Sequence, residues 1–285
     1  MSNKVFFNGN ICSVEDVKIP VSDSGFLYGA GVFETMRSLN GVVFAVKDHL
    51  DRLFFSLDCL KFNHGLQREE VIENIYKVVD ANHLLDSRIR LTVTNGPLIL
   101  TEEPSPTIII TATDFQPYPD EYYENGIKTI VTNNRLNPHS PTTHFKTTSY
   151  LERLAAMNEA RGKGAAEAIW FTTDNKLAQG SMSNLFIVKD SVIYTPPIET
   201  PVLAGIARER VLKIAMDRNM QIKEDILFIK DLLEADEVFL TNVIMEVMPV
   251  NSVERHTIGS GVCGPVAKEL LQLYREHMQQ ECKER

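Results

Sequence analysis

The residue with the most chemical potential is Lys146, in the run Thr143-His144-Phe145-Lys146-Thr147-Thr148-Ser149-Tyr150-Leu151. A lysine desolvated at the edge of an apolar core loses proton affinity and becomes an amine nucleophile. The Thr147-Thr148-Ser149 cluster behind it suits the cap of a helix starting near 148. Taken alone, this lysine reads as an exposed residue at a helix entry. Arg88 and Arg90 share one face of a strand read over Arg88–Thr94, and Phe33, Thr35 and Arg37 share a face by period-2 alternation. Arginines side by side suit carboxylate recognition; a solvated strand face or an ion pair accounts for them as well.

Other chemistries lack their residues. There is no GxxxxGK[ST] phosphate loop, HExxH or GxSxG, and Gly29-Ala30-Gly31 lacks the third glycine and helix start of a dinucleotide site. His139 and His144 fall in a Pro/Thr-rich loop without a carboxylate at ligand spacing. Cys12, Cys59, Cys263 and Cys282 form no CxxC pair and read as reduced thiols of a cytoplasmic protein.

These residues must be positioned by an ordinary globular fold. Hydrophobic residues make up 44% and charged residues 24% of 285 residues, which excludes disordered and fibrous classes. The net charge of −9 argues against a nucleic-acid or anionic-membrane binder, and no apolar run suits a membrane helix. A strand is read over 4–7, a hairpin over 32–38 and 42–46 closed by Asn40-Gly41, and helices over 48–61 and about 68–80. Strands follow at 88–94 and 107–113. Pro117 and Pro119 interrupt regular structure. Beyond them, strands near 127–132, 166–172, 184–189 and 192–195 alternate with helices near 148–161, 204–218 and 265–281. The expected organisation is α/β (α+β): a small domain over 1–115, a linker over 116–123, and a larger β-rich domain over 124–285. Met245, Met248 and the Phe54-Phe55 pair read as core filling.

Four further stretches occur in order around Lys146. They are Phe26-Leu27-Tyr28-Gly29-Ala30-Gly31-Val32-Phe33-Glu34-Thr35-Met36-Arg37, His49-Leu50-Asp51-Arg52-Leu53, Leu177-Ala178-Gln179-Gly180-Ser181-Met182-Ser183-Asn184-Leu185-Phe186 and Leu203-Ala204-Gly205-Ile206-Ala207-Arg208-Glu209. In register over nearly the whole chain, the five resemble the class IV aminotransferases, fold-type IV enzymes of pyridoxal 5′-phosphate. The resemblance implies a cofactor between two domains, a homodimer, and Lys146 as the Schiff-base lysine that also moves the substrate's Cα proton. It implies phosphate binding by Arg52, by the helix start at Gly205, Ile206 and Ala207, and by the Thr241-Asn242 loop. Many relatives carry threonine where this chain has Ala207. Gln179 falls where relatives carry the glutamate that partners the pyridine nitrogen; a neutral amide hydrogen-bonds the nitrogen without compensating a pyridinium charge, so a weaker electron sink is expected. Tyr28, Phe33, Arg37, Arg88, Arg90 and Tyr150 become substrate-side candidates, Tyr150 because it follows Lys146 by one helical turn.

The resemblance implies transamination of an amino acid, of branched-chain or hydrophobic type given Phe26, Leu27 and Phe33. No Arg-x-His pair occurs in 95–106, where D-amino-acid aminotransferases carry a carboxylate trap. The alternative is 4-amino-4-deoxychorismate lyase, which releases 4-aminobenzoate and pyruvate. Thr241-Asn242 followed by Pro249-Val250 resembles that lyase's pattern, and the Arg88/Arg90 pair and Gln179 suit an elimination from a substrate with several carboxylates. A catalytically poor cofactor binder is the third reading, disfavoured by the presence of both Lys146 and Arg52.

Overall fold

The computed structural model describes residues 3–97 and 105–283 and divides into two compact units. The division passes between Gln116 and Pro117, but Phe145–Tyr150 and the chain from Met278 also belong to the first unit. A linear split with a linker over 116–123 places both of those stretches in the larger domain. The 116–123 span is not all linker either: helix α4 begins at Asp120. Positions 98–104 of the 95–106 stretch lie outside the described residues.

The first unit contains β1 (Lys4–Phe7), β2 (Asn10–Ser13), α1 (Ser24–Tyr28), β3 (Gly31–Leu39), β4 (Val42–Val43), α2 (Val46–Cys59), α3 (Arg68–Ala81), β5 (Ser87–Thr94) and β6 (Ile108–Asp114). Its sheet runs β2-β1-β6-β5-β3-β4, antiparallel throughout. Alternation sends Val32, Met36, Ile89, Leu91, Val93, Ile110 and Ala112 to one face, where they pack with Leu50, Leu53 and Leu57 of α2 and Val71, Ile75 and Val78 of α3. The predicted hairpin arm over 42–46 is only two residues long. Ala45 takes a left-handed conformation (φ 51°), and the chain turns there into α2. Phe54 belongs to the core as expected, but Phe55 is 62% exposed.

The second unit contains α4 (Asp120–Asn125), β7 (Ile127–Leu136), α5 (Leu151–Gly162), β8 (Glu167–Thr172), β9 (Leu177–Gly180), β10 (Asn184–Lys189), β11 (Val192–Thr195), α6 (Ile206–Asp217), β12 (Ile222–Glu224), α7 (Ile229–Leu233), β13 (Glu237–Asn242), β14 (Glu246–Val253), β15 (His256–Thr257) and α8 (Pro265–Glu281), whose end belongs to the first unit. Its nine-stranded sheet runs β12-β11-β10-β13-β14-β7-β8-β9, with β15 beside β14. Because β9 pairs with both β8 and β10, six of these strands close on themselves. Closure explains why β8, β9, β10 and β13 are continuously buried and nearly lack polar alternation. Among the described residues no helix is long and apolar enough to cross a membrane.

Candidate active site

In the first unit, backbone pairing brings Lys146 to the edge of β3. Phe33 N–H donates to the Lys146 carbonyl (2.9 Å), Thr148 N–H donates to the Gly31 carbonyl (2.8 Å), and Val32 pairs antiparallel with Thr147. Facing residues of antiparallel strands project to the same side, so Lys146 lies on the Phe33 side of the sheet, away from the α2 core. Its Nζ is 4.5 Å from the Phe33 ring centroid. Arg90 Cζ lies 3.3 Å from that centroid, and Tyr150 meets the ring edge-on at 5.3 Å. Lys146 is half-buried.

Two sequence expectations change here. Helix α5 starts at Leu151, so Tyr150 is not one helical turn from Lys146. It reaches the same neighbourhood through the Phe33 ring. The Thr/Ser cluster does not open a helix at 148: Thr148 Oγ1 and Ser149 Oγ donate to the Gly29 carbonyl at 2.8 and 3.3 Å. Gly29 closes α1 at φ 68°, and a Cβ there would stand 2.6 Å from Ser149 Oγ, so the anchor requires glycine.

Behind β3, on the core side, Glu34 is fully buried among apolar neighbours. Arg52 of α2 grips it through Nε (2.8 Å) and Nη2 (2.6 Å), and His49 Nδ1 lies 2.7 Å from the same carboxylate. Burial alone would raise the Glu34 pKa; the Arg52 charge and the His49 hydrogen bond outweigh it and hold it at about 2. Burial lowers the His49 pKa, so the histidine is neutral and donates from Nδ1. One edge of the Arg52 fork is thus committed to Glu34, which fixes the direction of the guanidinium.

The outward face of the same sheet concentrates positive charge. Arg37 and Arg88 are direct cross-strand partners, and Arg90 faces Thr35. Arg37 Cζ stacks 3.8 Å over Phe115, and Arg90 Nε donates to Thr92 Oγ1 (3.1 Å). Burial pushes the Arg90 pKa down to about 10, with the Arg88 charge acting in the same direction, so Arg90 stays charged at neutral pH. Tyr28 ends α1 and is 68% exposed; Phe26 and Leu27 are exposed beside it.

In the second unit, two candidate residues, Gln179 and Thr241, align across adjacent strands with Asn184 between them. Gln179 of β9 faces Asn184 of β10, and Asn184 faces Thr241 of β13. Gln179 Oε1 accepts from Leu203 N–H (3.0 Å), and Asn184 Nδ2 donates to the Leu203 carbonyl (2.8 Å). This grip on Leu203 positions the start of α6, whose N-cap is Gly205, followed by buried Ile206 and Ala207. A Cβ on Gly205 would meet Asn184 Oδ1 at 1.9 Å, so only glycine lets the backbone pass so close. Asn242 Oδ1 accepts from Ile244 N–H and Met245 N–H (both 2.8 Å), and its Nδ2 donates to the Met182 carbonyl (3.0 Å). The β9–β10 turn is held by buried Glu167, which accepts from the N–H groups of Ser181 (3.0 Å) and Met182 (3.2 Å) and from Ser183 Oγ (3.1 Å).

Among the described residues, Gln179 Nε2 and Thr241 Oγ1 are buried and find no hydrogen-bond partner. A hydroxyl, an amide N–H and a helix N-terminus together form a donor set suited to a phosphate and a ring nitrogen, so the residues present fit a pyridoxal phosphate. Glu34, His49, Asn184 and Glu167 were not singled out by sequence reasoning. The usable signal was Glu34 between apolar Val32 and Met36 on the core face, with His49 and Arg52 three residues apart on an apolar helix.

The two sheets, with Lys146 paired onto the edge of the first, define a fold-type IV α/β enzyme. The family model for amino-transferase class IV matches residues 31–253, and the chain belongs to that family. The branched-chain-amino-acid aminotransferase of Escherichia coli K12 is 33% identical over 281 residues, covering 95% of this chain and 91% of the relative. The crystal structure of the E. coli branched-chain amino acid aminotransferase superposes with a TM-score of 0.93 at 32% identity, covering 99% of this chain and 96% of the other. The crystal structure of the T.th. branched-chain amino acid aminotransferase with pyridoxamine 5′-phosphate gives 0.92 at 29% identity, covering 99% and 95%. A Legionella pneumophila protein assigned as a 4-amino-4-deoxychorismate lyase gives 0.84 at 25% identity, covering 92% and 96%.

Proposed function

We propose that this aminotransferase binds pyridoxal 5′-phosphate through Lys146 and acts on branched-chain or other hydrophobic amino acids. The observation that carries the reading is the Lys146 amine, seated 4.5 Å from the Phe33 ring on a segment paired to β3. When bound, the cofactor supplies an aldehyde carbon for amines and a ring that draws electrons from the substrate's Cα. Lys146 Nζ would hold the cofactor through its aldehyde carbon and, once displaced by the substrate amine, would take up the Cα proton as general base and deliver it to the cofactor side rather than back to Cα. Arg52, fixed by Glu34, the N–H groups at Gly205, Ile206 and Ala207, Thr241 and the Asn242 turn serve the phosphate. Gln179 serves the ring nitrogen. Tyr28, Phe33 and Tyr150 offer apolar and aromatic contact to the substrate, and Arg37, Arg88 and Arg90 receive its carboxylate. The enzyme acts as a homodimer, as the family resemblance implies, and four free cysteines suit the cytoplasm.

The lyase remains the second reading because Arg37, Arg88 and Arg90 share one sheet face, and three cations suit a substrate with more than one carboxylate. The test has two parts. Borohydride treatment of cofactor-saturated protein followed by peptide mapping is expected to find the reduced adduct on Lys146; an unmodified Lys146 refutes the reading. Incubation with branched-chain amino acids and 2-oxoglutarate is expected to yield glutamate. Formation of 4-aminobenzoate from aminodeoxychorismate without glutamate formation selects the lyase.

A further inference from the structure

We infer that Gln179 donates a hydrogen bond to the ring nitrogen of the bound cofactor and holds that nitrogen unprotonated. The inference rests on the functional reading above, which brings the ring to Gln179. The orientation of the amide is fixed by this chain alone. Leu203 N–H has only a hydrogen to give, and the group 3.0 Å from it must be the Gln179 carbonyl oxygen. Rotating the amide would set two donors against each other. Leu203 is held on its other side as well, by Asn184 Nδ2 donating to its carbonyl at 2.8 Å. Nε2 is therefore the branch that remains. The side chain is 2% exposed, and Nε2 has no partner among the described residues.

A carboxylate at this position would accept from Leu203 N–H with one oxygen and present a second acceptor, which requires a protonated ring nitrogen. The amide presents a donor, which requires the nitrogen lone pair. The substitution thus reverses the direction of the hydrogen bond while leaving the clamp on Leu203 intact. A ring held neutral is a weaker electron acceptor, so Cα deprotonation leans more on Lys146 and less on the ring.

The holoenzyme, reconstituted with cofactor labelled with ¹⁵N at the ring position, tests this directly. The wild-type protein is expected to show the resonance of unprotonated pyridine through the neutral pH range, and Gln179→Glu the pyridinium resonance. As a second measurement, a cofactor analogue with C–H in place of the ring nitrogen is expected to bind the wild-type protein about tenfold more weakly than the natural cofactor, the effect of one lost hydrogen bond. A pyridinium signal in wild type, or equal affinity for the two cofactors, overturns the inference. If the Lys146 adduct forms in that same sample, the functional reading survives; if it does not form, both fall together.

Discussion

Glu34 and Arg52 are joined by two hydrogen bonds, 2.8 and 2.6 Å long, that connect the core face of β3 to α2. Glu34 has almost no exposure and Arg52 only 12%. Removing one partner of such a pair leaves a charge without compensation in a medium that solvates it poorly. Glu34→Gln is expected to destabilise the protein by about 3–5 kcal/mol, read from urea unfolding. It should also weaken cofactor binding, because the released guanidinium loses its fixed direction. Unchanged affinity would show that Arg52 needs no such support.

The same cluster sets an acid limit. Glu34 has its pKa lowered from 4.5 to about 2, so the unfolded chain takes up a proton here before the native one does. Its stabilising contribution is complete above pH 4.5 and disappears as pH falls toward 2. It amounts to about 3 kcal/mol at about 1.4 kcal/mol per pKa unit. The His49 pKa is lowered from 6.5, which removes stability as pH falls below that value. Unfolding free energy measured against pH should therefore decline from near pH 6.5 downward, and the Glu34→Gln variant should show a shallower decline in the more acid part of that range.

Lys146→Ala is expected to abolish turnover and change the unfolding free energy by no more than about 0.5 kcal/mol, the range of ordinary surface changes. The fold is held there by backbone bonds from Phe33 and Thr148, which the substitution keeps. Appreciable residual turnover would remove Lys146 from its proposed role.

Glu167 does not belong to the proposed cofactor contacts, yet it holds the turn between Gln179 and Asn184. Glu167→Ala leaves three N–H groups, those of Ala168, Ser181 and Met182, and the Ser183 hydroxyl without their acceptor. At about 1–3 kcal/mol for each unsatisfied buried group, the loss should exceed about 2 kcal/mol and be accompanied by weaker cofactor binding, both measurable in one thermal-shift titration. A variant that loses stability and binds the cofactor normally would confine Glu167 to a purely structural role.

Arg37 directly opposite Arg88 is a like-charge pair across two strands, an arrangement that destabilises a sheet unless an anion offsets it. Arg88→Thr is expected to leave stability unchanged or raise it by a few tenths of a kcal/mol. It should raise the KM for the amino or keto acid with little change in cofactor absorbance. A lower stability with unaltered KM would place the pair outside substrate recognition.

Much of this architecture is legible in the sequence because periodicity reports burial on one face. The α2 stripe Leu50, Leu53, Phe54 and Leu57, and the α3 stripe Val71, Ile75 and Val78, need no tertiary information. The span 42–46 misleads because Val42 to Val46 is uniformly apolar, and periodicity cannot show that Ala45 takes a left-handed turn. The Thr/Ser cluster after Lys146 has the composition of a helix cap, but its hydroxyls find a carbonyl some 120 positions earlier in the chain. Local rules do not describe such a partner. The same holds for the return of 145–150 to the first unit, which no composition shift marks. Asn184 and Leu203 escape notice because their importance is a matter of register, set only once β9, β10 and β13 align.

The pairing of Lys146–Thr148 with Gly31–Phe33 has a consequence for biogenesis. During translation, β3 and β5 are complete long before residue 148 emerges, so part of the β3 border waits with its backbone groups unsatisfied. A ribosome-released fragment ending before that point would carry most of the first sheet and lack the Lys146–Thr148 segment. The β3 border is therefore completed only past the midpoint of synthesis, when a segment from the middle of the polypeptide pairs with a strand begun near its start.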